Sequence, residues 1–128
     1  MPKTTHPKAE RPSSGSIDPS DVFAALSDRT RLRLLNLLRP GEVCVCDLVD
    51  GVGAPQPTVS RHLGLLRRAG LVRVRKEGLW SHYQLAEGAS ELLERLFQAI
   101  GECSAPCPEF SGDEKRVRAA RKARGCCD

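Results

Sequence analysis

The sequence predicts a mainly α fold with a small β-hairpin wing, and three stretches carry that prediction. Leucine-rich segments at helical spacing, residues 32–38 and 92–100, flank the middle of the chain. Between them, Glu42 to Leu71 (EVCVCDLVDGVGAPQPTVSRHLGLLRRAGL) reads as two short helices joined by a Gly/Pro turn. The overlapping stretch that follows, LVRVRKEGLWSHYQL, alternates with the two-residue period of a hairpin. Two helices, a turn and a trailing hairpin make a winged helix-turn-helix.

Each element has a local cause. Asp18-Pro19 opens a first helix, with Asp18 as N-cap and proline in the first turn. Ser27 or Asp28 caps a second, whose dense leucines are core, and Pro40-Gly41 ends it. Val43 and Val45 flank Cys44 and favour an extended start before a helix from about Val45. Gly51, Gly53 and Pro55 break that helix, Pro57 starts the next, and Gly70 stops it in a left-handed cap. Glu77-Gly78 is the expected hairpin turn. Ser90 caps a last helix whose stripe of Leu92, Leu93, Leu96, Phe97 and Ile100 exceeds what the small core needs. A symmetric partner is its most economical burial, so an α-helical dimer interface is expected there.

At 128 residues the chain is one domain, too short for a roomy enzyme cleft. Residues 1–16 have three prolines and, besides them, only Met1 and Ala9 as apolar side chains; a disordered arm is expected. Residues 17–102 form the expected winged-helix and dimerisation domain. Residues 103–128 are expected to be a Cys-containing basic tail with one loose helix. No apolar run approaches membrane-spanning length and no secretory signal is visible, so the expected location is the cytoplasm. In that reducing compartment six cysteines point to metal binding or redox activity rather than to structural disulfides.

Charge distribution indicates a partner. Thr58 to Lys76 holds Arg61, Arg67, Arg68, Arg73, Arg75 and Lys76 and no acidic residue. That is the footprint of a polyanion, set against the plainer reading of a solvated basic face. Short polar residues early in the second helix and arginines late suit a major groove, with base edges read first and phosphates held afterwards. A wing carrying Arg73, Arg75 and Lys76 would lie along a phosphate backbone. Enzyme motifs are missing: there is no Cys-x-x-Cys, no carboxylate pair in an apolar setting and no Gly-rich phosphate loop.

With these residues in hand, the chain resembles the ArsR/SmtB family of metal-sensing repressors, over about Val22 to Ile100. The anchors are ALSDRTRLRLLNLL, EVCVCDL, QPTVSRHLGLLRRAGLV and EGLWSHYQL. The resemblance implies a homodimeric repressor that holds a pseudo-palindromic operator in double-stranded DNA without metal and releases it when inducer binds. Cys-Val-Cys-Asp-Leu at Cys44 to Leu48 is similar to the arsenite-sensing subgroup. Carried over, Cys44 and Cys46 become metalloid ligands, and Gln56, Thr58, Ser60, Arg61 and His62 become the DNA-reading face. Arsenite sensors often have a third cysteine where this chain has Val49. Cadmium and lead relatives draw thiols from an N-terminal arm that here has none. Zinc relatives use carboxylates and histidines on the last helix, which here carries Glu91, Glu94 and Glu102 but no histidine. Pro55 stands where a serine commonly caps the reading helix.

As(III) takes three thiolates in a pyramid, and soft ligands also suit Sb(III) or Cd(II). In a regular helix Cys44 and Cys46 would diverge by about 200°. They converge on one ion only if the helix start is extended. The plainer alternative makes both small buried hydrophobes. Cys103 or Cys107 is the expected third ligand, within the chain or across a dimer, with Cys126 and Cys127 as further sources. A thiol-redox repressor, a cadmium or zinc sensor and a metal-sequestering protein are the rival functions. His82 in the wing is expected to be structural or to contact the backbone.

Overall fold

The computed structural model describes residues 17–124, so the expected disordered arm and Cys126 and Cys127 lie outside the described residues. The helices are α1 (Pro19–Ala25), α2 (Arg29–Leu37), α3 (Val45–Val52), α4 (Gln56–Arg68), α5 (Glu91–Ser104) and α6 (Pro108–Arg124). The strands are β1 (Val43–Cys44), β2 (Val72–Glu77) and β3 (Trp80–Leu85).

Local signals act as the sequence predicts. Asp18 accepts from the Ser20 amide at 3.0 Å, Asp28 from Arg31 at 3.1 Å and Ser90 from Leu93 at 3.1 Å, each satisfying a helix-start N–H. Gly70, directly after the Ala69 C-cap of α4, takes φ +84°, a left-handed conformation in which a side chain is strained. The hairpin pairs Glu77 with Trp80, which moves the turn one residue on, to Gly78-Leu79.

α2 lies at the centre and packs against α3, α4, α5 and α6. Leu34, Leu35, Leu48, Leu63, Leu66, Leu71 and Leu93 are fully buried around it. Withdrawing such side chains from water is the main source of stability, at about 2 kcal/mol each. The α5 stripe divides: Leu93, Phe97 and Ile100 join this core, Leu96 is half-buried, and Leu92 stays 40% exposed. On α1, Phe23 is 54% exposed.

Two features exceed the expectation. The hairpin is part of a three-stranded antiparallel sheet in the order β1-β3-β2, with Val43 opposite Tyr83 and Cys44 opposite His82. More consequentially, the expected boundary at residue 102 falls inside α5, and residues 108–124 are no loose tail helix. They form α6, docked along α3 and α2. The docking is largely ionic. Asp113, fully buried, accepts from Arg33 Nε and Nη2 at 2.8 Å each, and Arg116 donates to the Gly51 carbonyl at 2.9 Å. Val117 fits where α3 has no side chain: a Cβ on Gly51 would sit 2.5 Å from Val117 Cγ2.

Candidate thiol site and nucleic-acid interface

The two α3 cysteines meet because the helix starts where they are. Cys44 is the last residue of β1 and the N-cap of α3, at φ −71° and ψ 146°, while Cys46 lies in the first helical turn. The β-region backbone at Cys44 removes the helical divergence, and the sulfurs stand 3.1 Å apart. Cys44 is buried and Cys46 half-buried.

The surroundings are charged. Asp47 is fully buried, and neither carboxylate oxygen has a hydrogen-bond partner among the described residues. Arg124 Nε lies 3.4 Å and Arg121 Nε 3.8 Å from it. Arg124 also pairs with Asp50, and Arg121 donates to the Glu42 carbonyl at 2.9 Å. The Arg124 guanidinium holds its proton more tightly than usual; burial opposes this, and nearby Cys46, Asp50 and Asp47 outweigh it.

Cys103 and Cys107 are elsewhere. Cys103 lies in the last turn of α5 and Cys107 just before α6, with the Cys107 thiol donating to the Cys103 carbonyl at 3.6 Å. They line a cavity of about 360 Å³ with Leu32, Leu96, Ile100 and Phe110. Among the described residues no three Cys, His, Asp or Glu side chains are grouped to hold a metal. Within one chain, then, Cys103 and Cys107 do not join Cys44 and Cys46. The reason is α6 itself, whose 17 residues span about 25 Å between Cys107 and the Arg124 end.

On α4, Gln56, Ser60, Arg61 and Arg67 are exposed and Thr58 is half-buried. Pro55 is the N-cap and supplies no side-chain bond, so the helix start opens without an acid in its first turn. That end is positive and suits a phosphate. His62 departs from the expectation: it is 9% exposed and turned towards α2. Its Nδ1 accepts from Arg31 Nη1 at 3.2 Å, with Asp28 at 3.9 Å. Burial pushes the imidazole below its usual range; Asp28 opposes this and Arg31 and Arg61 reinforce it, so the ring is neutral at pH 7. His62 positions α4 and is not part of its exposed face.

In the wing, Arg73, Arg75 and Lys76 are all exposed. Arg73 donates to the Glu87 carbonyl at 3.2 Å. Arg75 is held by Glu42, through Nη2 at 2.7 Å and Nε at 3.0 Å, and by Glu77 at 3.3 Å. Sequence reasoning missed the Glu42–Arg75 clamp, because only the β1–β3 pairing brings residues so far apart in the chain together. His82 is buried, with Nε2 3.5 Å from Glu77, as a structural residue should be. At the wing tip Leu79 is completely exposed.

Paired helices α3 and α4 followed by the β2–β3 wing define the winged helix-turn-helix class of DNA-binding regulators. Residues 28–74 match the family model described as "Bacterial regulatory protein, arsR family". Over 86 residues the chain is 49% identical to the arsenical resistance operon repressor of Escherichia coli K12, spanning 66% of this chain and 74% of that one. An uncharacterized HTH-type transcriptional regulator of Methanocaldococcus jannaschii is 45% identical over 82 residues, 63% of this chain and 92% of that one. Among solved structures, the homodimeric winged helix-turn-helix DNA-binding domain of a possible ArsR-family regulator from Mycobacterium bovis superposes with TM-score 0.58. It is 32% identical and covers 67% of this chain and 77% of that one. The chain belongs to the arsR family of bacterial regulatory proteins.

Proposed function

We propose that this protein is a homodimeric transcriptional repressor that holds a pseudo-palindromic operator through α4 and the wing and releases it when As(III) is bound by Cys44 and Cys46. The observation that carries this reading is the 3.1 Å approach of two sulfurs at the start of the helix preceding α4. Two convergent soft donors beside a cation fit As(III), with Sb(III) and Cd(II) as related ligands. The similarity to an arsenical resistance repressor supports the choice among them.

The same junction explains how a small ligand could move a large interface. Cys44 belongs to β1, which is hydrogen-bonded to wing strand β3, and Glu42 two residues earlier clamps wing residue Arg75. Cys46 belongs to α3, which packs against α4. Binding both sulfurs to one ion ties strand and helix start to a single geometry. That constraint acts at once on the wing and on the reading helix, the two elements that must fit the duplex.

Exposed Phe23 and Leu92, with half-buried Leu96, leave apolar surface on α1 and α5 that suits a second copy. A two-fold dimer presents two α4 helices to two half-sites one DNA turn apart.

A variant with all six cysteines changed to serine separates repression from sequestration. It is expected to bind its upstream DNA in a gel-shift or anisotropy assay, because α4 and the wing contain no cysteine. Loss of specific binding in a folded variant would contradict a repressor whose thiols serve only release.

A further inference from the structure

Docking uses one side of α6, and the other side carries charge. From Lys115 to Arg124 the helix holds six basic residues and no acidic one. Three of the six engage the body of the protein. Arg116 donates to the Gly51 carbonyl, Arg121 to the Glu42 carbonyl, and Arg124 pairs with Asp47 and Asp50. The other three, Lys115, Arg118 and Lys122, are exposed, and among the described residues no ion pair holds them. Their spacing of three and four residues places them within about 60° of one another, on one stripe about 10 Å long. An ordinary solvated face mixes signs, as α5 does with its Glu91–Arg95 pair at 3.6 Å. The end of α6 is also joined to the wing. Arg121 is bonded to the backbone of Glu42, whose carboxylate clamps wing residue Arg75 at 2.7 Å, and Val43 pairs with Tyr83 of β3. Arg73 and Lys76, exposed on β2, are the wing's other cations. The carboxylates that share a groove with Arg118, Glu42 and Glu114, are committed elsewhere, to Arg75 and to Asn36 at 2.9 Å.

We propose that Lys115, Arg118 and Lys122 form a second duplex-binding surface, holding the phosphate backbone of the same DNA that α4 and the wing engage. This rests on the reading of α4 and the wing as the DNA-binding elements and enlarges the surface assigned to them. Over the length of the stripe a duplex presents about six phosphate charges. Ammonium and guanidinium groups meet such charges without reading base edges, so the surface adds affinity and no sequence preference. Asp113 and Val117 fix α6 to the body of the protein, so these cations stand on a docked helix and not on a loose tail.

The test compares the parent with a Lys115→Gln/Arg118→Gln/Lys122→Gln variant, and with Arg95→Gln as a control for an exposed cation on α5. DNA anisotropy is measured for the full-length reduced protein on its own upstream duplex and on an unrelated duplex, across a range of salt. Removing phosphate contacts from both copies of a dimer should lower the slope of log affinity against log salt by up to about 5 and weaken both complexes at least about tenfold. The ratio of affinities for the two duplexes should not change. Arg95→Gln should match the parent. The three substituted side chains are exposed, so the variant's circular dichroism is expected to equal the parent's. Unchanged slope and affinity would overturn the proposal and leave the stripe to solvent or to an acidic protein. Weakening confined to the upstream duplex, at unchanged slope, would also overturn it, because that pattern marks an indirect effect on α4. If the parent bound neither duplex, the reading of α4 and the wing would itself fail, an outcome distinct from loss of the α6 contribution alone.

Discussion

A Cys44→Ser protein is expected to hold operator DNA as tightly as its parent and to keep holding it when arsenite is added. Cys44 lies outside the exposed face of α4 and outside the wing, so the DNA contacts do not depend on its sulfur. Serine fits the space and preserves the extended backbone that caps α3. What it removes is one of two sulfurs 3.1 Å apart, replacing a soft donor with a hard one that As(III) binds poorly. Release should then need at least about a hundredfold more arsenite, which corresponds to about 2.8 kcal/mol. DNA anisotropy under reducing conditions gives both quantities. Normal release would place the sensing thiols elsewhere, and Cys103 and Cys107 would be next to test.

An Asp113→Ala protein is expected to lose about 3 kcal/mol of stability. The carboxylate is fully buried and takes two hydrogen bonds from Arg33, whose side chain is only 14% exposed. Removing it leaves a largely buried guanidinium with fewer partners. The loss sits at the lower end for such a pair because Arg33 keeps the Val52 carbonyl at 3.0 Å and Glu109 at 3.4 Å. Urea unfolding followed by circular dichroism measures the effect, with exposed Lys115→Ala as a control expected within about 0.5 kcal/mol. A change of that small size at Asp113 would show that α6 is not part of the cooperative fold.

The contrast between α4 and α6 shows what the sequence makes legible. α4 is plain because Val59, Leu63 and Leu66 recur at helical spacing and glycines and prolines mark its ends. α6 buries Phe110, Asp113 and Val117, a helical spacing with a carboxylate in the middle. Its other anchors are arginines reaching carboxylates and carbonyls, which look like a solvated basic tail until their partners are known. Hydrophobic periodicity cannot register a helix that docks by charge.

The thiol site was half legible. Val43 and Val45 around Cys44 indicated the extended start that lets the sulfurs converge. The placement of Cys103 and Cys107 was not legible, since it depends on the length and direction of α6. For His62 the sequence left a DNA contact and a structural histidine both open. One residue of helix turns it about 100° from Arg61 towards α2 and Arg31. In the wing, the exposure of Arg73 and Arg75 was readable from alternation, while the clamp of Glu42 on Arg75 was not.

The most direct measurement is the anisotropy of fully reduced protein on a labelled duplex from its own upstream region, at fixed salt, titrated with arsenite and separately with zinc. Tight binding that is lost near one arsenite per site, with zinc ineffective, is the expected result. Tight binding indifferent to arsenite would contradict metalloid release through Cys44 and Cys46.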